Sequence, residues 1–328
     1  MTCRPALRSR VVQPCRAWDT TTLWRRPSWR MRVPALVVEE SLAMLRQRPA
    51  GAEDLEGLQF DPVERPALAR FGADVRNRLL QLEGVCWIRG LAKWELSEKE
   101  QKFLYLSLSL AMGETMGSYG RLYAVEDRGV DYKTSALPVS ATSAETGFHT
   151  DSSSVDSSPD IVGLLCETPS SSGGESLVSN ALRAHRELSL RAPDTIEVLE
   201  KDFIRDVVTP GRERSQANLL RNRFPIFSGR GEQRTFRYMR YWVERGQRAA
   251  GRPLSARQTE ALDALDQVLQ APENVVEFRL KRGDMLFLDN RIVAHNRRAY
   301  RDADGRKRRL QRTWISAPQP AHWRGATT

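Results

Sequence analysis

Histidine and cysteine are both scarce here, with four of each in 328 residues. Cys3, Cys15, Cys86 and Cys166 make no close C-x-x-C pair, which argues against a structural zinc knuckle and against the dense disulfide framework of a small secreted domain. A reducing, cytoplasmic setting is the simplest expectation. No run of about 18 apolar residues occurs, so a membrane-spanning helix is excluded, and the N-terminus lacks the apolar core of a secretion signal. There is no internal repeat, and the serine clusters 152–158 and 170–172 are too short to be linkers.

Acidic residues are also rare at the start of the chain. The first 35 residues hold eight arginines against the single acid Asp19, a composition that suits a transit peptide or a leader extended by a start set upstream of Met31. Residues 1–35 are therefore expected to form a flexible leader, 36–320 a single domain with a helical N-terminal part, and 321–328 a tail. The net charge of +10 raises the question of nucleic acid. Much of the excess, however, sits in the leader and between Arg291 and Arg312, not on one helical stripe with interleaved aromatics. A solvated surface with an anion-binding pocket accounts for the charge, so a small molecule and not polymeric nucleic acid is the expected partner. The oligomeric state is left open.

To about residue 115 the pattern is mainly helical. Leu68–Gly84 carries apolar residues at helical spacing, with Gly84 as the stop, and VCWIRG follows as a short strand. Ser97 and Glu100 then form a capping box at the head of a second helix. After Gly147 the texture becomes short strands: 161–167, 175–179, 235–242, 275–280, 284–290, 291–296 and 308–316. Two helices interrupt them, one after Asn180 and one after Ser255, where Ser255 and Gln258 repeat the capping box. Many short strands with Gly, Ser and Asp turns predict a mainly β fold with flanking helices, a sandwich or cupin-like jelly roll.

Chemistry concentrates in GFHTDSSSVD, residues 147–156. Residues i and i+2 of a strand share a face, so His149 and Asp151 aim at one point while Thr150 turns away. An isolated H-x-D is otherwise a polar turn, and a metal site needs a third ligand from a neighbouring strand. His185 sits on an arginine-flanked helix and His322 in the terminal tail. His295 follows two apolar strands, GDMLFLDNRIVAHN, that would hold its ring in place. Two histidines and one carboxylate form the facial triad that holds non-haem Fe(II) and leaves three positions open. In RRLQRTWIS, Arg308, Leu310, Arg312 and Trp314 share one strand face. A buried guanidinium on the triad side calls for an anion, and its fork matches a carboxylate such as that of 2-oxoglutarate.

The order FHTD, GGES, GDMLFLDNRIVAHNR and RRLQRTW resembles the TauD/TfdA family of Fe(II)/2-oxoglutarate-dependent dioxygenases, in its clavaminate-synthase-like and amino-acid-hydroxylase branch, over residues 60 to 318. The resemblance implies a double-stranded β-helix, with His149, Asp151 and His295 as iron ligands and catalytic centre. It implies that Arg308 grips the distal carboxylate of 2-oxoglutarate and that Ser176 contacts its other end. Arg312 would assist the cosubstrate or meet an acidic substrate group, with Arg309 competing for the role of Arg308 if the register shifts. The implied reaction consumes Fe(II)-bound 2-oxoglutarate and O2, gives succinate and CO2, and oxidises an unactivated C–H bond. The intact carboxylate at 151 implies oxygen transfer and not halogenation.

For the substrate, the loop from Gly120 to Thr146 is expected either to line or lid the pocket or to be a surface connection. Arg237 or Arg240 could meet a substrate anion, and Glu175 a cation. The leading expectation is a small polar metabolite, an amino acid or derivative of specialised metabolism. The alternatives are an anionic substrate (nucleotide, sulfonate or phosphonate) and a non-catalytic metal-binding or nucleic-acid-binding jelly roll.

Overall fold

A computed structural model of the chain describes residues 16–48, 55–129, 139–206, 215–303 and 305–318. Its frame is two sheets laid face to face. The larger runs in the order Arg30–Arg32, Val85–Arg89, Met285–Asp289, Ile161–Thr168, Arg309–Ser316 and Glu114–Thr115, with Tyr123–Val125 also paired to Arg309–Ser316. The smaller places Ser176–Asn180 between Val275–Phe278 and Val293–Arg297, antiparallel to both.

The strand alternation sets what lies in each layer. On the large sheet Ile161, Leu165, Met285, Phe287 and Ile315 face outward and pack with the helices Ala35–Arg46, Pro66–Gln81 and Glu98–Met112. Cys166, Leu286, Leu288 and Leu310 face inward and meet Val178, Val276, Phe278 and Val293 of the small sheet. The outer face of the small sheet, with Leu177 and Ala294, is covered by the helices Ala181–Arg191, Pro193–Leu199 and Ala256–Gln270. Gly163 permits the close helix–sheet approach: a Cβ there would lie 2.6 Å from the Tyr105 hydroxyl and 2.7 Å from the Phe287 ring.

Local sequence accounts for most of these elements. Both capping boxes form, Ser97 with Glu100 and Ser255 with Gln258, and Asn180 caps its helix by accepting from the Arg183 amide at 2.9 Å. Gly84, at φ +76°, ends the chain's run after Pro66–Gln81. The expected strand over 235–242 does not form beyond Phe236; Arg240–Ala249 is a helix. RYMRYW alternates, but Trp242, Val243, Gly246 and Gln247 also lie on one helical face and are the buried residues. Burial at helical spacing prevailed over the shorter period-two signal.

The expectation of a flexible leader over 1–35 is corrected for its described part. Residues 1–15, like the 321–328 tail with His322, lie outside the described residues. From Arg16 the chain is packed. Trp18 and Trp29 are fully buried, and the Trp18 indole donates to the Glu83 carbonyl at 2.6 Å. Arg16 pairs with the buried Asp289 at 2.9 Å, and Arg30–Arg32 adds a parallel edge strand beside Trp87–Arg89. Eight arginines dominate the composition of this segment, but Trp18, Leu23 and Trp29 enter the core between the sheets, and burying them outweighs the charge signal.

Candidate active site between the two sheets

The inner faces of both sheets open at one edge into a pocket, and the residues singled out in GFHTDSSSVD reach it from the loop beside the small sheet. Gly147, at φ +71°, turns the chain. His149 then exchanges backbone hydrogen bonds with His295, its amide donating at 3.0 Å and its carbonyl accepting in return at 2.8 Å. Thr150 is held from the side, its hydroxyl accepting from the Tyr238 amide at 3.0 Å. Asn290 fixes the next residue, accepting from the Asp151 amide at 2.8 Å and donating to the Asp151 carbonyl at 3.0 Å.

His149, Asp151 and His295 offer ligand atoms that all lie within 4.8 Å of one another. Asp151 Oδ1 is 3.8 Å from His149 Nε2 and 3.5 Å from His295 Nε2. The other carboxylate oxygen is occupied: Oδ2 accepts from the Trp314 indole at 2.7 Å and faces Arg312 Nη1 at 3.2 Å. His149 Nδ1 contacts the Gly147 carbonyl at 2.9 Å, which selects the tautomer that leaves Nε2 with its lone pair toward Asp151. One open carboxylate oxygen and two imidazoles on one side are the donor set of a facial N2O site.

Electrostatics favour the deprotonated ligands. Burial alone would raise the Asp151 carboxyl, but Arg312 and the two histidines outweigh it and hold it well below the usual carboxylate range. Burial, reinforced by His295, pushes His149 down to about 4. A metal competes with protons for these atoms, so a carboxylate and a neutral imidazole are the forms it needs.

Arg312 sits in an aromatic box, its guanidinium carbon 5.5, 5.0 and 4.9 Å from the rings of Tyr119, Tyr123 and Trp314. Arg308 is 4 % exposed and lines the same pocket, as does Ser176. Its Nη1 is buried without a hydrogen-bond partner, the condition expected of a guanidinium built to meet an anion. Gly174 leaves it room, since a Cβ there would approach Arg308 Nε to 3.3 Å. The register places Arg309 on the opposite face, beside Glu167 at 3.3 Å and Glu126 at 3.6 Å, which removes it as a competitor.

Two expected substrate contacts are corrected. Arg240 is not among the lining residues; its guanidinium is taken by Glu244, Asp263 and Asp266 at 2.6 to 2.9 Å. Glu175 likewise lies outside the lining and faces Arg279 at 3.5 Å. Arg237 acts on the loop: it donates to the Ser154 carbonyl at 2.6 Å, while Asn222 accepts from the Val155 amide at 2.7 Å. Ser152, at φ 66°, begins the turn that carries Ser153, Ser154 and Ser157 along the pocket wall. Of the Gly120–Thr146 loop, Val125, Ser140 and Thr146 line the pocket, and residues 130–138 lie outside the described ones. Sequence reading passed over Arg297, Tyr119 and Asn290. HNRR did place Arg297 at i+2 from His295, and that spacing could have drawn attention to it.

Residues 46–314 match the family model described as taurine catabolism dioxygenase TauD, TfdA family. The chain is 28% identical over 278 residues to FR-33289 synthase of Streptomyces rubellomurinus, covering 80% of this chain and 78% of that protein. It is 31% identical over 185 residues to a uridine-5'-phosphate dioxygenase of a Streptomyces species, covering 54% of this chain and 63% of the relative. The fold superposes with a TM-score of 0.64 and 18% identity on the non-heme iron oxygenase OrfP in complex with Fe, succinate and (3S)-hydroxy-L-Arg, over 88% of this chain and 94% of that one.

Proposed function

The chain belongs to the taurine catabolism dioxygenase TauD, TfdA family, and from that premise we propose that it is an Fe(II)- and 2-oxoglutarate-dependent oxygenase hydroxylating an unactivated C–H bond of a small polar metabolite. The observation that carries this reading is the asymmetry of Asp151. Trp314 and Arg312 hold Oδ2, and Oδ1 is left facing two imidazole nitrogens. The paired sheets are read as the double-stranded β-helix, or jelly roll, on which this centre is built.

His149, Asp151 and His295 would hold the iron, Arg308 the distal carboxylate of 2-oxoglutarate, and Ser176 its other end. Fe(II) with 2-oxoglutarate and O2 supplies the oxidising chemistry, one oxygen atom entering the substrate and the other succinate, with loss of CO2. The chain's part is orientation and shielding. Arg312 neutralises Asp151 Oδ2 and keeps the carboxylate to one open oxygen, and Leu164, Leu286, Leu310, Met239 and Trp242 give the pocket an apolar wall. Because Trp314 orients a ligand through its indole N–H, Trp314→Phe should weaken anaerobic Fe(II) binding by about 10- to 100-fold, measured by iron titration, without unfolding the protein.

An amino acid or derivative is the leading substrate, supported by the hydroxylated arginine in the OrfP complex. A second reading, an anionic substrate, is favoured by the pocket's charge. Arg297, Arg308 and Arg312 all line it, and among the described lining residues Asp151 is the one carboxylate. A substrate ammonium finds no free acid there, whereas a phosphate, sulfonate or phosphonate finds cations and serine hydroxyls. A relative that is a uridine-5'-phosphate dioxygenase points the same way.

The test begins with anaerobic addition of Fe(II) and 2-oxoglutarate, for which a visible charge-transfer band is expected. The band should vanish in His149→Ala and in His295→Ala; its persistence in both would sink the ligand assignment. Amino acids, nucleotides, sulfonates and phosphonates are then screened for substrate-stimulated succinate release, with mass spectrometry for one added oxygen atom. Loss of two hydrogens instead would indicate desaturation or ring closure.

A further inference from the structure

The pocket is lined by a further, half-buried guanidinium, that of Arg297, to which the family resemblance gives no role. In the strand Val293–Arg297, His295 and Arg297 stand two residues apart on the inner face, separated by about 6.5–7 Å along the chain. Arg297 is also paired in register with Ser176.

Arg297 and Arg308 converge on one ring. Their guanidinium carbons lie 4.8 and 5.0 Å from the centre of Tyr300, and both side chains line the pocket. Three buried polar atoms of this cluster have no hydrogen-bond partner: Arg297 Nε, Arg308 Nη1 and the Tyr300 hydroxyl. Arg297 Nη2 donates to the Ala144 carbonyl, and neither guanidinium forms an ion pair with a carboxylate among the described residues.

Two neighbouring like charges that each hold a buried, unmet donor are costly in isolation and are stabilised by an anion that accepts from both. We propose that Arg297 and Arg308, assisted by the Tyr300 hydroxyl, form a two-guanidinium clamp on the distal carboxylate of 2-oxoglutarate. The proposal rests on the oxygenase reading above, and makes Arg297 a cosubstrate-binding residue instead of a substrate contact.

Anaerobic calorimetry of the Fe(II)-loaded protein tests it with two ligands, 2-oxoglutarate and 2-oxopentanoate, which has the same chain without the distal carboxylate. Arg297→Gln should weaken 2-oxoglutarate binding by about 10- to 100-fold and leave 2-oxopentanoate binding within about twofold. Arg297→Lys, which keeps the charge, should recover part of the loss. Unchanged 2-oxoglutarate affinity in Arg297→Gln overturns the clamp. So does an equal loss for both ligands, which would make Arg297 a support of the pocket wall through Ala144. Should the wild-type protein bind no 2-oxoglutarate, the oxygenase reading falls and takes the clamp with it; that outcome is recognised before any variant is measured.

Discussion

Asp151→Ala abolishes Fe(II) binding, lowers turnover by about a thousandfold or more, and destabilises even the metal-free protein by about 3–5 kcal/mol. The first two effects follow from losing the carboxylate oxygen that faces both imidazoles. The third has a different origin. Arg312 Nη1 and the Trp314 indole both point at Asp151 Oδ2, at 3.2 and 2.7 Å, and Arg312 is otherwise enclosed by aromatic rings. Alanine leaves a buried cation and a buried N–H without partners. Denaturant unfolding of the metal-free variant separates the effects: stability equal to wild type would show that Arg312 is satisfied by solvent, and that the carboxylate serves the metal alone. Asp151→Asn should lose iron while retaining an acceptor for Trp314, and so should fall between alanine and wild type in stability.

A chain that starts at Met31 should fail to accumulate as a folded protein. Such a chain lacks Trp18, Leu23 and Trp29, each fully buried, and with them the contacts of Trp29 to Trp87 and Phe278, at ring separations of 5.9 and 5.6 Å. Large buried side chains contribute about 3–5 kcal/mol apiece when truncated to alanine, so losing three approaches the whole stability of an ordinary domain, about 5–15 kcal/mol. Expression of the full chain and the Met31 form side by side, compared by soluble yield and thermal melting, checks it. Equal melting temperatures would show that the tryptophans cover a core already stable without them.

How much of this was legible beforehand depended on the range of the interaction. The helix caps at Ser97 and Ser255 and the strands 161–168, 275–278, 285–289 and 309–316 are local patterns, and they form within a residue or two of their expected limits. The face assignment of Arg308, Leu310, Arg312 and Trp314 followed from alternation alone, and all four line the pocket. What alternation could not supply is partnership across the fold. Nothing in RYMRYW reveals that Asp263 and Asp266 capture Arg240, because they arrive on a separate helix. Nothing in the arginine-rich start reveals that Asp289 takes Arg16 or that Phe278 lies against Trp29. The role of Trp314 was hidden in the same way: its face was predictable, but the hydrogen bond to Asp151 exists only because two sheets close over one another.

The backbone exchange between His149 and His295, amide to carbonyl in both directions, bears on how the protein acquires its metal during synthesis. The two imidazoles are separated by nearly half the chain, so the pair cannot form until the strand carrying His295 has left the ribosome and paired with Ser176–Asn180 in the small sheet. A nascent or half-folded chain can present H-x-D but not the enclosed triad. The three ligands therefore come together only through a long-range pairing of the folded chain.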